Sequence, residues 1–390
     1  RLGLIERHGP THLWIHAASV GEIRVISYLV DYLHRQQPQV KIHVTTMTPA
    51  GFRTASDLLG DSVALTYFPL DAPPAVSRTL DQIEPRVIVI AETEIWPNLI
   101  TEATRRKIPL VQINGRMSEG AFNRYRRIRS MLSDLINKYD HWFLKTDSDA
   151  DRYHRLGLKV DAAEVAGDMK FDAPLRQLSD DQKREVRSRA GASAGDFVFV
   201  AGSTRPGEEA MLIELFRTLS AHDGSFIMIV APRHVDRVSE ITAELDKMEL
   251  RWRLYDTETT DDSGFDGQTD AGDGLVIVDT VGQLNDIYIA ADLAFVGGTL
   301  VDIGGHNLLE PVWGQTPVLF GPYINNVREA ATYIVENNYG RQVNSLEQLT
   351  ATVEQVYKGQ LSLAVKAETD LTASTTARIG TYLLEMLGDA

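Results

Sequence analysis

HLWIHAASVGEIRVI, residues 12–26, runs from an apolar stretch through small residues into an amphipathic one. Residues 12–17 read as a short, apolar strand-like run. Ser19 is placed to cap the helix that follows, and apolar residues at helical spacing predict that helix over Val20–Gln36. The same unit recurs. Strand-like runs at 41–46, 63–67, 86–90, 109–113 and 141–144 alternate with helical patterns such as Pro49–Leu59, 95–106 and 119–139. A second series has runs at 197–201, 226–230, 251–254, 275–278, 293–296 and 318–319. Strands alternating with helices of this length predict parallel sheets. The expected fold class is α/β, with two Rossmann-like, doubly wound domains facing across a cleft. The boundary is expected within 167–180, dividing the chain into 1–172, 173–362 and a helical tail, 363–390, that packs back on the first domain.

The chain has 390 residues, 43% of them hydrophobic and 24% charged, which excludes wholesale disorder. It has no cysteine, which removes disulfides, zinc–thiolate sites, iron–sulfur clusters and thiol nucleophiles. No run of 18 apolar residues is present to span a membrane. The net charge of −15 is uneven: residues 1–150 carry +2 and the remainder −17. Between 105 and 129 stand eight basic residues (Arg105, Arg106, Lys107, Arg116, Arg124, Arg126, Arg127 and Arg129) against Glu119 alone. They read either as a solvated helix face or as a surface for phosphate, nucleic acid or acidic lipid. The stretch 256–273, with seven acids and no base, reads as a solvated loop.

In open α/β sheets ligands bind at the carboxyl ends of strands, where strand order reverses. The polar motifs fall just there. In HAASVGE, Gly21 allows close approach of a ligand, and Glu22 sits in the first turn as dipole complement or general base. In AETEIWPN, Glu92 and Glu94 follow a strand and Pro97 suits a first helical turn; the two acids could be acid–base partners, metal ligands or caps. With no HExxH and no clustered aspartates, no tightly bound metal is expected. In the second series GSTRPGEE brings Ser203 and Arg205, PRH brings Pro232, Arg233 and His234, and GGT brings Gly298 and Thr299. GGHNLLEP adds Gly304, Gly305, His306, Asn307 and Glu310, with the glycine pair opening a helix. Glycine-rich amides and arginines suit phosphate, and a carboxylate suits ribose hydroxyls. Their convergence on one sheet predicts a nucleotide-sugar pocket. Neither GxxxxGK[ST] nor GxGxxG is present, which argues against a P-loop or a standard dinucleotide site.

Together HAASVGE, ETEIWPN, GDMKFD (167–172), GSTRPGEE, PRH, GGT and GGHNLLEP resemble, in order and over nearly the whole chain, the 3-deoxy-D-manno-octulosonic acid (Kdo) transferases of lipopolysaccharide synthesis. The resemblance implies a GT-B, inverting, metal-independent glycosyltransferase with no cofactor. Its donor would be CMP-Kdo and its acceptor a lipid A precursor, lipid IVA, met at the cytoplasmic face of the inner membrane, with no nucleic-acid partner. By motif, Glu22 matches the catalytic carboxylate and Glu92, ahead of Glu94, a second essential acid. Ser19, Gly21, Glu94 and Arg116 are the expected acceptor contacts, and the second-series residues named above the donor contacts. Gln283 and Tyr323 depart from the residues common in the family, glutamate and histidine, and bear on fine donor contacts. The family also implies a membrane anchor ahead of Arg1. Rival readings are another nucleotide-sugar enzyme, such as a UDP-sugar transferase or UDP-GlcNAc 2-epimerase relative, and a two-lobed binding protein.

Overall fold

The computed structural model describes residues 2–3, 9–220, 226–255, 274–366 and 374–388; the acidic stretch 256–273 lies outside them. The chain divides into two compact units, Arg1–Ala173 with Thr369–Ala390, and Pro174–Glu368. The first is built on seven strands: β1 (Thr11–His16), β2 (Ile42–Thr46), β3 (Ala64–Tyr67), β4 (Pro85–Ala91), β5 (Leu110–Gly115), β6 (His141–Leu144) and β7 (Ala163–Val165). All neighbours are parallel, in the order β3-β2-β1-β4-β5-β6-β7. The order reverses between β1 and β4, so the loops after these two strands open the crevice where such sheets take ligands.

Strand alternation sorts the core into two layers. Leu13, Ile15, Val87 and Val89 lie in one cluster with Ile23, Ile26, Leu29, Val30 and Leu33 of the helix Val20–Gln36. Trp14, Ile88 and Ile90 lie in the other, with Val76, Leu80 and Leu99. Each fully buried aliphatic side chain contributes roughly 1.5–3 kcal/mol, an upper estimate for a chain that is partly compact when unfolded. The helix Thr375–Gly388 joins the first cluster through Ile379 and Leu383. Its Gly380 lies against Tyr32, where a Cβ would come within 2.3 Å of the ring, so any side chain there would push this helix off its neighbour.

The second unit repeats the plan with β8 (Phe197–Thr204), β9 (Phe226–Pro232), β10 (Arg253–Leu254), β11 (Leu275–Ile277), β12 (Leu293–Val296), β13 (Val318–Phe320) and β14 (Gly340–Gln342). The order is β10-β11-β9-β8-β12-β13-β14, again parallel, with the reversal between β8 and β12. Phe199, Met228, Ile277 and Phe295 pack there with Leu212, Phe216, Leu349 and Val353 from the helices Glu208–Ser220 and Leu346–Tyr357.

Several sequence expectations are corrected. The helix expected over 119–139 is broken: Glu119–Tyr125 and Arg129–Ile136 are separated by a tight turn at 126–128. Within it, Phe122 and Leu132 are core residues. Arg105 and Arg106 are engaged by Glu102, and Arg106 also by Asp81. The other six, Lys107, Arg116, Arg124, Arg126, Arg127 and Arg129, are exposed, the last four in the stretch that also exposes Ile128 and Met131. β8 extends past Ala201 through Thr204, so part of the expected loop is strand. The glycine pair at 304–305 does not open a helix; the next helix, Leu309–Trp313, starts four residues later. β7 and β14 went unread because three-residue edge strands with the sequences AEV and GRQ carry no apolar run. Among the described residues of the tail, 363–366 are not helical.

Candidate functional site

In the first unit the helix Val20–Gln36 begins at the carboxyl end of β1. Ser19 is extended (φ −115°, ψ 165°), and its Oγ accepts from the Glu22 N–H at 3.3 Å. The Glu22 carboxylate folds back on the cap, accepting from the Ala18 N–H at 2.8 Å and the Ser19 hydroxyl at 2.8 Å. Gly21 is exposed, and a Cβ there would meet only Ser19 Oγ, at 3.9 Å, leaving the backbone open to a ligand. Burial raises the Glu22 pKa above its ordinary value; the two hydrogen bonds oppose this, and the Glu92 and Glu94 carboxylates add to it.

Glu92 and Glu94 leave the end of β4 in the paired loop. Glu92 has φ +59°, a left-handed conformation that a non-glycine residue holds only when its surroundings dictate it. They do: its N–H donates to Ile113 O at 2.9 Å and its carbonyl accepts from Gln112 Nε2 at 2.6 Å. Its carboxylate lies 2.9 Å from Arg116 Nε and 3.4 Å from Lys145 Nζ. Lys145 Nζ in turn lies 3.2 Å from Asp168 Oδ2, which Lys170 also reaches at 3.2 Å. Burial works against the Asp168 charge, but Lys145 and Lys170 outweigh it and hold this carboxyl below its ordinary value. Thus alternating charges Arg116, Glu92, Lys145, Asp168 and Lys170 run along the strand ends.

Glu94 is engaged differently. Its Oε2 lies 2.7 Å from Nε2 of the fully buried His16 and accepts from Trp96 Nε1 at 3.1 Å. His16 Nδ1 meets Thr45 O at 3.0 Å. The Thr45 hydroxyl lies equally near Nδ1, at 3.0 Å. Phe68 stacks on the imidazole at 3.9 Å. Of the three acids at this crevice, Glu22 alone has no basic side chain bonded to it among the described residues.

In the second unit, Arg205 donates from Nε to His306 Nε2 at 2.9 Å and from Nη1 to His234 Nε2 at 3.0 Å. Arginine can only donate, so each imidazole accepts at Nε2 and carries its proton on Nδ1. Burial, then Arg205, Arg233 and His234, depresses the His306 pKa to about 4. Pro232 is buried at the end of β9, while Arg233 and His234 beyond it are exposed. Asn307 donates to Glu310 at 3.1 Å; burial raises the Glu310 pKa against this bond and the field of Arg233. Ser203 has φ +57° at the break in register between Gly202 and Thr204.

One glycine-rich segment, at 297–300, holds an anion of the protein's own. The buried Glu208 carboxylate takes the amides of the loop after β12 and that of Arg205, accepting from Arg205 N (2.9 Å), Gly298 N (2.8 Å), Thr299 N (3.1 Å) and Leu300 N (2.9 Å). Burial raises its pKa in spite of these four bonds. Gly297 is needed beside it, because a Cβ would lie 2.5 Å from Ser203 O and 2.8 Å from Glu208 Oε2. Thr299 is fully buried, its hydroxyl donating to Val296 O and accepting from Gly321 N. Gly304 and Gly305 have φ of +94° and +89°, and the Gly305 N–H donates to Gly298 O. Thus Thr299 and this pair shape the loop, while side chains form the exposed polar surface. Sequence reading passed over Lys145, His16 and the function of Glu208. Lys145 and His16 stand at strand ends, where position alone could have flagged them.

Residues 1–173 match the family model of 3-deoxy-D-manno-octulosonic-acid transferase (kdotransferase). A 3-deoxy-D-manno-octulosonic acid transferase of Haemophilus influenzae is 32% identical over 355 residues, covering 88% of this chain and 81% of that protein. The chain belongs to the Kdo transferases. Another relative, a bifunctional glycosyltransferase/methyltransferase of Fusobacterium nucleatum, is 33% identical over 349 residues; this Kdo transferase chain spans 52% of its length. The UDP-GlcNAc 2-epimerase of Neisseria meningitidis, solved with UDP-GlcNAc, matches 98% of the chain with TM-score 0.58 at 11% identity, a likeness of fold. A Kdo transferase is a glycosyltransferase, and two parallel seven-stranded α/β sheets are the GT-B arrangement of such enzymes. Among the described residues, no group of three His, Asp or Glu side chains could hold a metal ion, and no helix is long and apolar enough to cross a membrane.

Proposed function

We propose that this Kdo transferase moves Kdo from CMP-Kdo to a lipid A precursor with inversion, using Glu22 as general base. The observation that carries the reading is the contrast among the three acids at the β1/β4 crevice. Glu92 is paired with Arg116 and Lys145, Glu94 is bonded to His16 and Trp96, and Glu22 has a raised pKa and, among the described residues, no bonded basic side chain. In the transfer, the acceptor hydroxyl oxygen bonds to the anomeric carbon as the bond from that carbon to the phosphate oxygen breaks. The hydroxyl proton passes to Glu22, and CMP leaves with the bonding pair as a phosphate monoester. Arg205, Arg233 and the Nδ1–H groups of His306 and His234 supply cations and donors for that phosphate without a metal. Glu310 suits the ribose hydroxyls, and Glu92 orients the acceptor. The exposed arginines 124, 126, 127 and 129, with Ile128 and Met131, suit an anionic membrane surface carrying the lipid acceptor.

Glu22→Gln tests the assignment. The variant should fold, bind CMP as the parent does, and lose about 10²–10⁴-fold in turnover, the usual cost of removing a general base. Kdo transfer within a few-fold of the parent would move the base elsewhere.

A further inference from the structure

The amides of the loop after β12 look, in sequence, like a cradle for a ligand's phosphate. They are filled by the protein itself. Glu208 Oε2 takes the N–H groups of Arg205 and Gly298, and Oε1 those of Thr299 and Leu300. The four donors come from the two loops flanking the reversal between β8 and β12. Both loops carry the anion-facing side chains: Arg205 is in the first, and His306 follows the second. Gly297 precedes these amides and accepts from His306 N at 3.3 Å, and Gly298 O accepts from Gly305 N at 2.7 Å. The carboxylate therefore fixes the backbone from which Arg205 reaches His306 and His234. Removing it would leave four inward-facing N–H groups without an acceptor, which buried backbone rarely tolerates. The loops would then part to reach water or capture another anion.

We propose that Glu208 is a positioning residue of the donor site: a built-in anion that joins the two crevice loops and thereby sets Arg205 and His306. The donor's phosphate is left to side chains, since the amide nest is occupied. This rests on the reading of the second unit as the donor-binding one. Glu208 meets no substrate, so its loss acts on donor affinity and not on the chemical step.

The test uses the full chain. Glu208→Ala, checked for folding by circular dichroism, should bind CMP about tenfold or more weaker, the fold-change that follows if the displaced Arg205 loses one charge-assisted contact with the phosphate. Its donor KM should rise more than its kcat falls. Formate, a carboxylate small enough for the vacated nest, should restore most of the affinity, whereas chloride should not. CMP affinity within about twofold of the parent, or a loss that formate leaves unchanged, overturns the proposal. If Glu208→Ala does not fold, Glu208→Gln keeps the shape but turns an amide NH₂ toward N–H donors; parental CMP affinity in that variant overturns it equally. A parent chain that does not bind CMP refutes the donor reading instead. The nest is then judged by thermal unfolding, where Glu208→Ala should be stabilised by formate and the parent should not. Absence of that stabilisation overturns the proposal on its own.

Discussion

Replacing Lys145 by methionine removes one charge from the middle of the ladder while keeping most of the apolar stem. The ammonium joins Glu92 and Asp168, and the side chains are 7%, 14% and 5% exposed respectively. Breaking a buried ion pair from one side costs about 3–5 kcal/mol, because the partner charge stays buried. Arg116 and Lys170 still serve one carboxylate each, which places the expected loss near the lower end, about 3 kcal/mol. At about 2–4 °C per kcal/mol for a unit of this size, the first unit should melt about 6–12 °C lower at neutral pH. The sign with pH follows from Asp168. Its folded pKa lies below the ordinary value, so its stabilisation is present above the unfolded pKa and disappears as pH falls through the folded one. Without Lys145 the folded pKa rises, so the difference between variant and parent should be full at neutral pH and shrink in acid. Activity gives a second reading. Glu92, relieved of a cation, would repel the Glu22 charge more strongly and move the acid limb of kcat to higher pH. Melting by calorimetry from acid to neutral pH, with the kcat profile, measures both. A variant melting within about 2 °C of the parent at neutral pH would refute the reasoning, because that is under 1 kcal/mol.

Arg233→Ala should weaken CMP binding about tenfold or more, since a charge-assisted contact contributes roughly 1.5–3 kcal/mol; calorimetric titration with CMP checks this, and unchanged affinity removes Arg233 from the pocket. His306, with a pKa of about 4, should remain neutral and protonated on Nδ1 across neutral pH, and its ¹⁵N imidazole shifts should not titrate near the ordinary 6.5. The chain should bind acidic-lipid vesicles at low salt and release them as salt rises, through charges screened over about 8 Å at physiological ionic strength. Changing Arg124, Arg126, Arg127 and Arg129 together to serine should abolish that binding; equal binding to neutral vesicles by the parent would contradict the electrostatic mechanism.

Local signals in the sequence disclose most of the elements and their order, though not β7, β14 or the break at 126–128. Strands such as β1 and β4 are buried on both faces, so their apolar runs are continuous, and the helix Val20–Gln36 announces itself by a serine cap and a periodic stripe. These are local signals, set by side-chain period and backbone hydrogen bonds within a few residues. Position at strand ends also brought Glu22, Glu92, Glu94, Arg205 and Arg233 into view. Which carboxylate is left without a bonded basic side chain was a tertiary decision. Glu92 meets Lys145 from 53 residues away and Glu94 meets His16 from 78, and nothing in ETE separates their fates. The same holds for Glu208. In sequence it is one acid of GEE at a helix start, and the glycines at 297–298 look free for a ligand. Only folding brings amides 90 to 92 residues distant onto its oxygens, because an anion nest is made of directions and distances that composition does not carry.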